Sequence, residues 1–183
     1  MEHSRKIIGI AGSLRAASFS RRVLKSIERL LPEGTAFGSL DIGALPHYNE
    51  DIERSQLPQA VAAARADVAD SDALVIVTPE FNHGLPGVLK NTLDWLSRPA
   101  FDSCMVGKPV FFVTLSPGAL GGVRAQYQMR ETLASMLCRL EPMPEIAITH
   151  VGAKVDESGL SDEPTLRFIE ERLAHFFLSL SSR

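Results

Sequence analysis

Apolar runs of strand length alternate with amphipathic stretches of helix length along this chain. The runs Lys6 to Ala11, Ala73 to Val77 and Val110 to Leu115 are apolar and largely β-branched or aromatic. That pattern suits strands buried on both faces of a parallel sheet. A weaker alternating run, Phe37 to Ile42, predicts a strand at the sheet edge, and Ile146 to Thr149 predicts a short last one. Helical spacing joins Phe19, Val23, Leu24, Ile27, Leu30 and Leu31, and Pro32-Glu33-Gly34 stops it. Leu57, Val61, Ala64 and Val68 share one face of a second helix, separated from the edge strand by a connection from Gly43 to Ser55. Pro86 takes the first helical position of a third helix whose stripe is Leu89, Leu93 and Leu96. A fourth runs from about Val123 through Tyr127, Leu133, Met136, Leu137 and Leu140, and a last one carries Leu166, Ile169, Leu173, Phe176, Phe177 and Leu180.

The resulting order is β-α-β-α-β-α-β-α-β-α. It predicts an α/β fold: an open parallel sheet with helices on both faces. Right-handed crossovers leave few topologies, and the flavodoxin-like order is one of two common solutions. Ligands of such sheets bind beyond the carboxyl ends of the strands. The loops after strands 1, 3 and 4 therefore meet at one edge.

The first of these loops, Gly12 to Ser20, holds three serines and Arg15. It opens onto a helix N-terminus, which presents unpaired N–H groups and the positive end of the helix dipole. Hydroxyls and a guanidinium add donors, and together they favour an anion, above all a phosphate. The G-x-G-x-x-G fingerprint is absent, because Arg15 stands where its last glycine belongs, and no Gly-Lys-Ser/Thr closes the loop. Few glycines and many hydroxyls suit a compact monoester rather than a pyrophosphate. A serine-rich turn with a solvated arginine is the plainer alternative.

The 183 residues are 45% hydrophobic and 22% charged, with net charge −3, which suits one globular domain over 1–183 and gives no basic surplus for nucleic acid or an anionic membrane. Two cysteines, Cys104 and Cys138, are too far apart for a CxxC site and too few for a disulfide framework, so the expected setting is the reduced cytoplasm. Met1 to Arg5 leads directly into the first strand, and neither a signal peptide nor a membrane span is expected. Histidines 3, 47, 83, 150 and 175 lack short ligand spacing, so no metal site is expected. No G-x-S-x-G elbow supports a hydrolase.

Several motifs together carry a resemblance: Gly12-Ser13-Leu14-Arg15 with Ser18 and Ser20, Thr78-Pro79-Glu80-Phe81-Asn82, Pro86 to Asn91 with Asp94-Trp95, and Gly121 to Tyr127. The chain resembles, over nearly its whole length, the NADPH-dependent FMN reductase family, flavodoxin-like flavoproteins that include bacterial quinone and chromate reductases. The resemblance implies a three-layer sandwich around a five-stranded parallel sheet of order 2-1-3-4-5. It implies bound FMN, with Ser13, Arg15, Ser18 and Ser20 on the phosphate; Ser18 also suits a helix N-cap. Pro79, Glu80, Phe81, Asn82, His83 and Gly84 would lie against the isoalloxazine, with Gly84 leaving room for close approach. Ser116, Pro117 and Gly118 would form the third flavin loop, although such a loop is also an ordinary turn. Phe81 stands where many relatives have tyrosine, and His83-Gly84 departs from a common Tyr-Ser pair. His83 reads either as a proton donor or as polar surface. Trp95 reads as core packing or an interface rather than a flavin-stacking residue.

The implied activity is transfer of a hydride from NADH or NADPH to FMN and of electrons onward to a quinone, a free flavin, an azo compound or an oxidised metal ion such as chromate. Such chemistry rests on positioning rings and tuning the flavin, so no catalytic side chain is named. A non-enzymatic flavodoxin-type carrier is the competing reading, against which stand the missing threonine-rich loop and acidic surface; a regulatory flavin- or nucleotide-binding module is a third. The resemblance also implies a homodimer or homotetramer, with Arg124, Tyr127 and Glu145 at positions that link subunits. The alternative is an intrachain pair on a solvated helix.

Overall fold

The computed structural model describes residues 4–181; residues 1–3 and 182–183, and with them His3 and the start of the expected N-terminal approach, lie outside. In chain order the elements are β1 (Lys6–Ala11), α1 (Phe19–Arg29), β2 (Ala36–Ser39), α2 (Glu50–Ser55), α3 (Gln59–Ala69), β3 (Ala73–Pro79), α4 (Gly87–Leu96), β4 (Val110–Leu115), α5 (Val123–Ser135), β5 (Ala147–Ile148) and α6 (Glu163–Ser181). All strand pairs are parallel and the order is β2-β1-β3-β4-β5, as the resemblance implies.

The central strands are buried at every interior position because both faces are covered. Strand side chains alternate between faces. Leu74 and Ile76 of β3 pack with Ile8, Ile10, Val110 and Phe112 under α3, α4 and α5. Val75 and Val77 pack with Ile7, Phe111 and Val113 under α1 and α6. Trp95 is fully buried in the first of these layers, and its Nε1–H donates to the Pro46 carbonyl at 2.7 Å, so it is core as expected.

Several boundaries differ from the sequence expectation. The edge strand stops at Ser39, and Ile42 lies in a single 3₁₀ turn, Ile42–Ala44. The connection from Gly43 to Ser55 contains α2, which has no buried residue and so lacks the apolar periodicity that would reveal it. Its start is capped by Asn49, whose side chain accepts from the Asp51 N–H at 2.8 Å. Pro86 is the N-cap of α4 rather than its first helical residue. Helix α5 ends at Ser135, so Met136, Leu137 and Leu140 lie beyond it. Leu137 takes a left-handed conformation, φ 59°, where glycine is usual. The N–H groups of Leu137 and Cys138 return to the carbonyls of Ala134 and Leu133. No glycine announces this stop, and the apolar spacing runs straight through it. Tyr127 is 61% exposed on α5. Strand β5 has two residues, shorter than the run Ile146 to Thr149.

Candidate functional site

The loops after β1, β3 and β4 leave the same edge of the sheet and are tied to one another. Gly12 donates its N–H to the Val77 carbonyl at 2.8 Å, extending the β1–β3 ladder by one residue. A Cβ on Gly12 would lie 2.4 Å from Thr78 Oγ1, so the first two loops touch through a site that only glycine fits.

From Gly12 the chain enters the serine-rich loop. Ser13, Ser18 and Ser20 are buried while Arg15 is exposed. Ser18 is extended and its Oγ accepts the Arg21 N–H at 3.2 Å, which makes it the N-cap of α1. Ser18 Oγ and Ser20 Oγ lie 3.2 Å apart. Arg21 braces the loop by donating from Nε to the Ser13 carbonyl at 3.3 Å, a contact that α1's helical pattern does not disclose. Among the described residues the N–H groups of Ser13, Leu14, Ala16, Ala17, Phe19 and Ser20 have no protein partner. Donors in that density, at the positive end of a helix, form a cradle for a dianionic phosphate monoester. The residues present therefore fit the phosphate of FMN.

The second loop is a tight turn. Phe81 and Gly84 exchange N–H···O bonds at 3.0 Å in both directions. Asn82 and His83 between them have φ of 48° and 65°. Two left-handed central residues define a type I′ turn, and asparagine and histidine tolerate that conformation better than most. The turn's internal bonds leave the N–H groups of Asn82 and His83 without a protein partner. Phe81 is 52% exposed on the same turn. Two free donors beside an exposed aromatic ring suit the polar edge and apolar body of a flavin.

Helix α5 holds this turn at both ends. Gly122, its N-cap, has no side chain to offer. Glu80 Oε2 instead accepts the N–H groups of Arg124 at 2.9 Å and Ala125 at 3.2 Å. Arg124 Nη1 lies 3.7 Å from Glu80 Oε1. Past the turn, Gln128 Oε1 accepts the Leu85 N–H at 2.6 Å. The carboxylate of Glu80 thus faces α5, and the space on the Cβ side of Gly84 holds the Gln128 amide. Gln128 and Arg21 are the residues that sequence reading missed. Gln128 acts on a backbone group 43 positions away and Arg21 on the loop just before its own helix, and no local motif marks either.

In the third loop, Ser116 Oγ accepts the Gly118 N–H at 3.1 Å. The Ser116 N–H donates to Ile148 at 3.1 Å, and the Gly118 carbonyl accepts the His150 N–H at 3.0 Å, so this loop is fastened to the exit of β5. It leads into α5 and so reaches the second loop through Glu80. Arg124 is paired within the chain, while Tyr127 and Glu145 are exposed. Among the described residues no cluster of three or more His, Cys, Asp or Glu side chains could hold a metal, and no helix is long and apolar enough to cross a membrane.

Comparison with known proteins agrees with this geometry. The NADPH-dependent FMN reductase family matches residues 5–152. A quinone reductase of Pseudomonas putida is 38% identical over 161 residues, covering 88% of this chain and 87% of that one. A 2-hydroxy-1,4-benzoquinone reductase of a Burkholderia species is 39% identical over 166 residues, covering 90% of each. Among solved structures, the flavoenzyme NAD(P)H:(acceptor) oxidoreductase FerB of Paracoccus denitrificans superposes with a TM-score of 0.87 at 30% identity, covering 96% of this chain and 97% of that one.

Proposed function

The chain belongs to the NADPH-dependent FMN reductase family, and on that premise we propose that it is a quinone reductase whose FMN sits across the three loops. The oxidoreductase activity, the FMN and the NAD(P)H co-substrate follow from family membership. This makes the chain an enzyme rather than a flavodoxin-type carrier. The observation that carries the site assignment is the cradle at α1: buried Ser13, Ser18 and Ser20 beside six backbone N–H groups without protein partners. In this reading those groups and Arg15 hold the phosphate. The N–H groups of Asn82 and His83 and the loop Ser116 to Gly118 take the ring.

When bound, FMN supplies a hydride relay between nicotinamide and acceptor. The protein's own part is to fix the phosphate and to present the turn's donors to the ring edge. Phe81 adds an apolar wall that excludes water, and the exposed side of the site is left for donor and acceptor in turn. Positioning of this kind lowers the barrier without a nucleophile or a strong acid. Quinone as the acceptor class is supported by the printed activities of the relatives at 38% and 39% identity. The two free cysteines accord with a reducing cytoplasm.

The test is steady-state oxidation of NADH and NADPH by the purified holoprotein with 1,4-benzoquinone as acceptor. Alternating occupancy of one ring face gives parallel double-reciprocal lines. A protein without a flavin spectrum, or one whose flavin is not bleached by either nicotinamide, overturns the proposal.

We further infer a homodimer or homotetramer. Tyr127 and Leu120 are large exposed side chains at the start of α5, and Phe101 and Leu137 are exposed near its end. Large exposed apolar and aromatic side chains favour association. Light scattering at micromolar concentration checks it: a mass near 20.0 kDa with full activity refutes the assembly.

A further inference from the structure

We propose that Gln128 is a positioning residue for the flavin ring, acting through the turn Phe81–Gly84; this rests on the reading that the turn faces the ring. A two-residue turn with no paired strands behind it is marginal by itself. Its place must come from its anchors, and both belong to α5. At the entry, Glu80 is bound to the N–H groups of Arg124 and Ala125. At the exit, Leu85 donates to Gln128 Oε1 at 2.6 Å, one helical turn after Arg124. The Asn82 and His83 N–H groups, the two donors offered to the ring, lie between those fixed points.

Gly84 records the same arrangement. Unlike Asn82 and His83 it does not have a left-handed φ, so the backbone does not require glycine there. A Cβ at this position would meet Gln128 Oε1 at 2.6 Å, Cδ at 3.6 Å and Nε2 at 3.9 Å. Gly84 is small because the Gln128 amide is seated against it. Adding one methyl at 84 therefore displaces that amide from Leu85 while leaving every atom of Gln128 in the protein.

The experiment compares Gln128→Ala, Gln128→Glu, Gly84→Ala and the double variant Gly84→Ala/Gln128→Ala. Hydrogen exchange of the segment 80–86 in the holoprotein reads the anchor. Affinity of the full-length apoprotein for FMN and for riboflavin, with the midpoint potential of the bound flavin, reads the ring contact. Gln128→Ala is expected to speed exchange and to weaken FMN and riboflavin by the same factor, about five- to tenfold, the worth of one hydrogen bond. Gln128→Glu keeps an oxygen for the Leu85 N–H and is expected to stay within about twofold of wild type, with a lowered potential from the added negative charge. Gly84→Ala should reproduce Gln128→Ala, and the double variant should be no worse than Gln128→Ala alone, because the two changes break one contact. Unchanged exchange in Gln128→Ala, or full additivity in the double variant, overturns the anchor. Faster exchange with unchanged riboflavin affinity and potential shows instead that the turn does not touch the ring, and that overturns the reading on which the proposal stands.

Discussion

Replacing Glu80 by alanine should unfasten the N-terminus of α5. A helix start leaves its first N–H groups without intrahelical partners, and here Gly122 brings no capping side chain. Glu80 Oε2 accepts two of those groups, at 2.9 and 3.2 Å. Loss of a capping acceptor costs about 0.5–2 kcal/mol. The charge of a carboxylate at the positive end of the dipole adds about 0.3–1 kcal/mol. Arg124, at 3.7 Å and 45% exposed, adds little after screening. The total centres on about 2 kcal/mol. Unfolding entropy of about 2.1 cal/mol/K per residue over 183 residues is roughly 0.4 kcal/mol/K, so the midpoint should fall by about 5 °C. Glu80→Gln keeps the oxygen and loses only the charge, so it should fall by about 1–3 °C. In about 1 M salt the gap between Glu80→Gln and wild type should close, while most of the alanine deficit remains. Calorimetry of the apoproteins is the assay, because bound flavin would raise every midpoint by mass action. An alanine variant that melts within a degree of wild type, or a glutamine variant as unstable as alanine, refutes the capping role.

Gly12→Ala sets a Cβ 2.4 Å from the buried Thr78 Oγ1; overpacking should cost about 1–3 kcal/mol and weaken flavin retention, and an unaltered midpoint with a full flavin spectrum after gel filtration would count against the contact. Arg15→Ala should weaken FMN about tenfold to a hundredfold and leave riboflavin unchanged; equal losses for both ligands would remove Arg15 from the phosphate site. Burial pushes the Cys138 thiol up to about 12 and raises Cys104 as well, so both stay protonated at neutral pH and the thiolate that reacts is scarce. Iodoacetamide at pH 7.5 should leave both unmodified in the native protein and alkylate both in denaturant, and fast labelling of the native protein is the contrary result.

The sheet was legible in the sequence because burial on both faces leaves a local trace. Ala73 to Val77 has no polar position at which to fail, and it became β3 between two helical layers. The serine-rich loop was legible for a similar reason, since a strand, that loop and a helix start follow one another within fifteen residues. Helix α2 was not legible, because none of its residues is buried and an exposed helix carries no apolar stripe. The end of α5 misled because Leu137 fills a position where glycine would have signalled the stop.

The sequence by itself thus determined the succession of the five strands, the buried ones among them and the serine-rich loop that opens onto a helix start. Each of these follows from neighbouring residues sharing one environment. Only the tertiary structure decided what holds the second loop in place. Glu80 reaches backbone groups 44 and 45 positions away, and Leu85 meets Gln128 at a separation of 43. A side chain that satisfies a distant N–H obeys no local period and calls for no particular neighbour. Such a bond exists only once the crossover has laid α5 beside the end of β3, and so it is a property of the packed sheet.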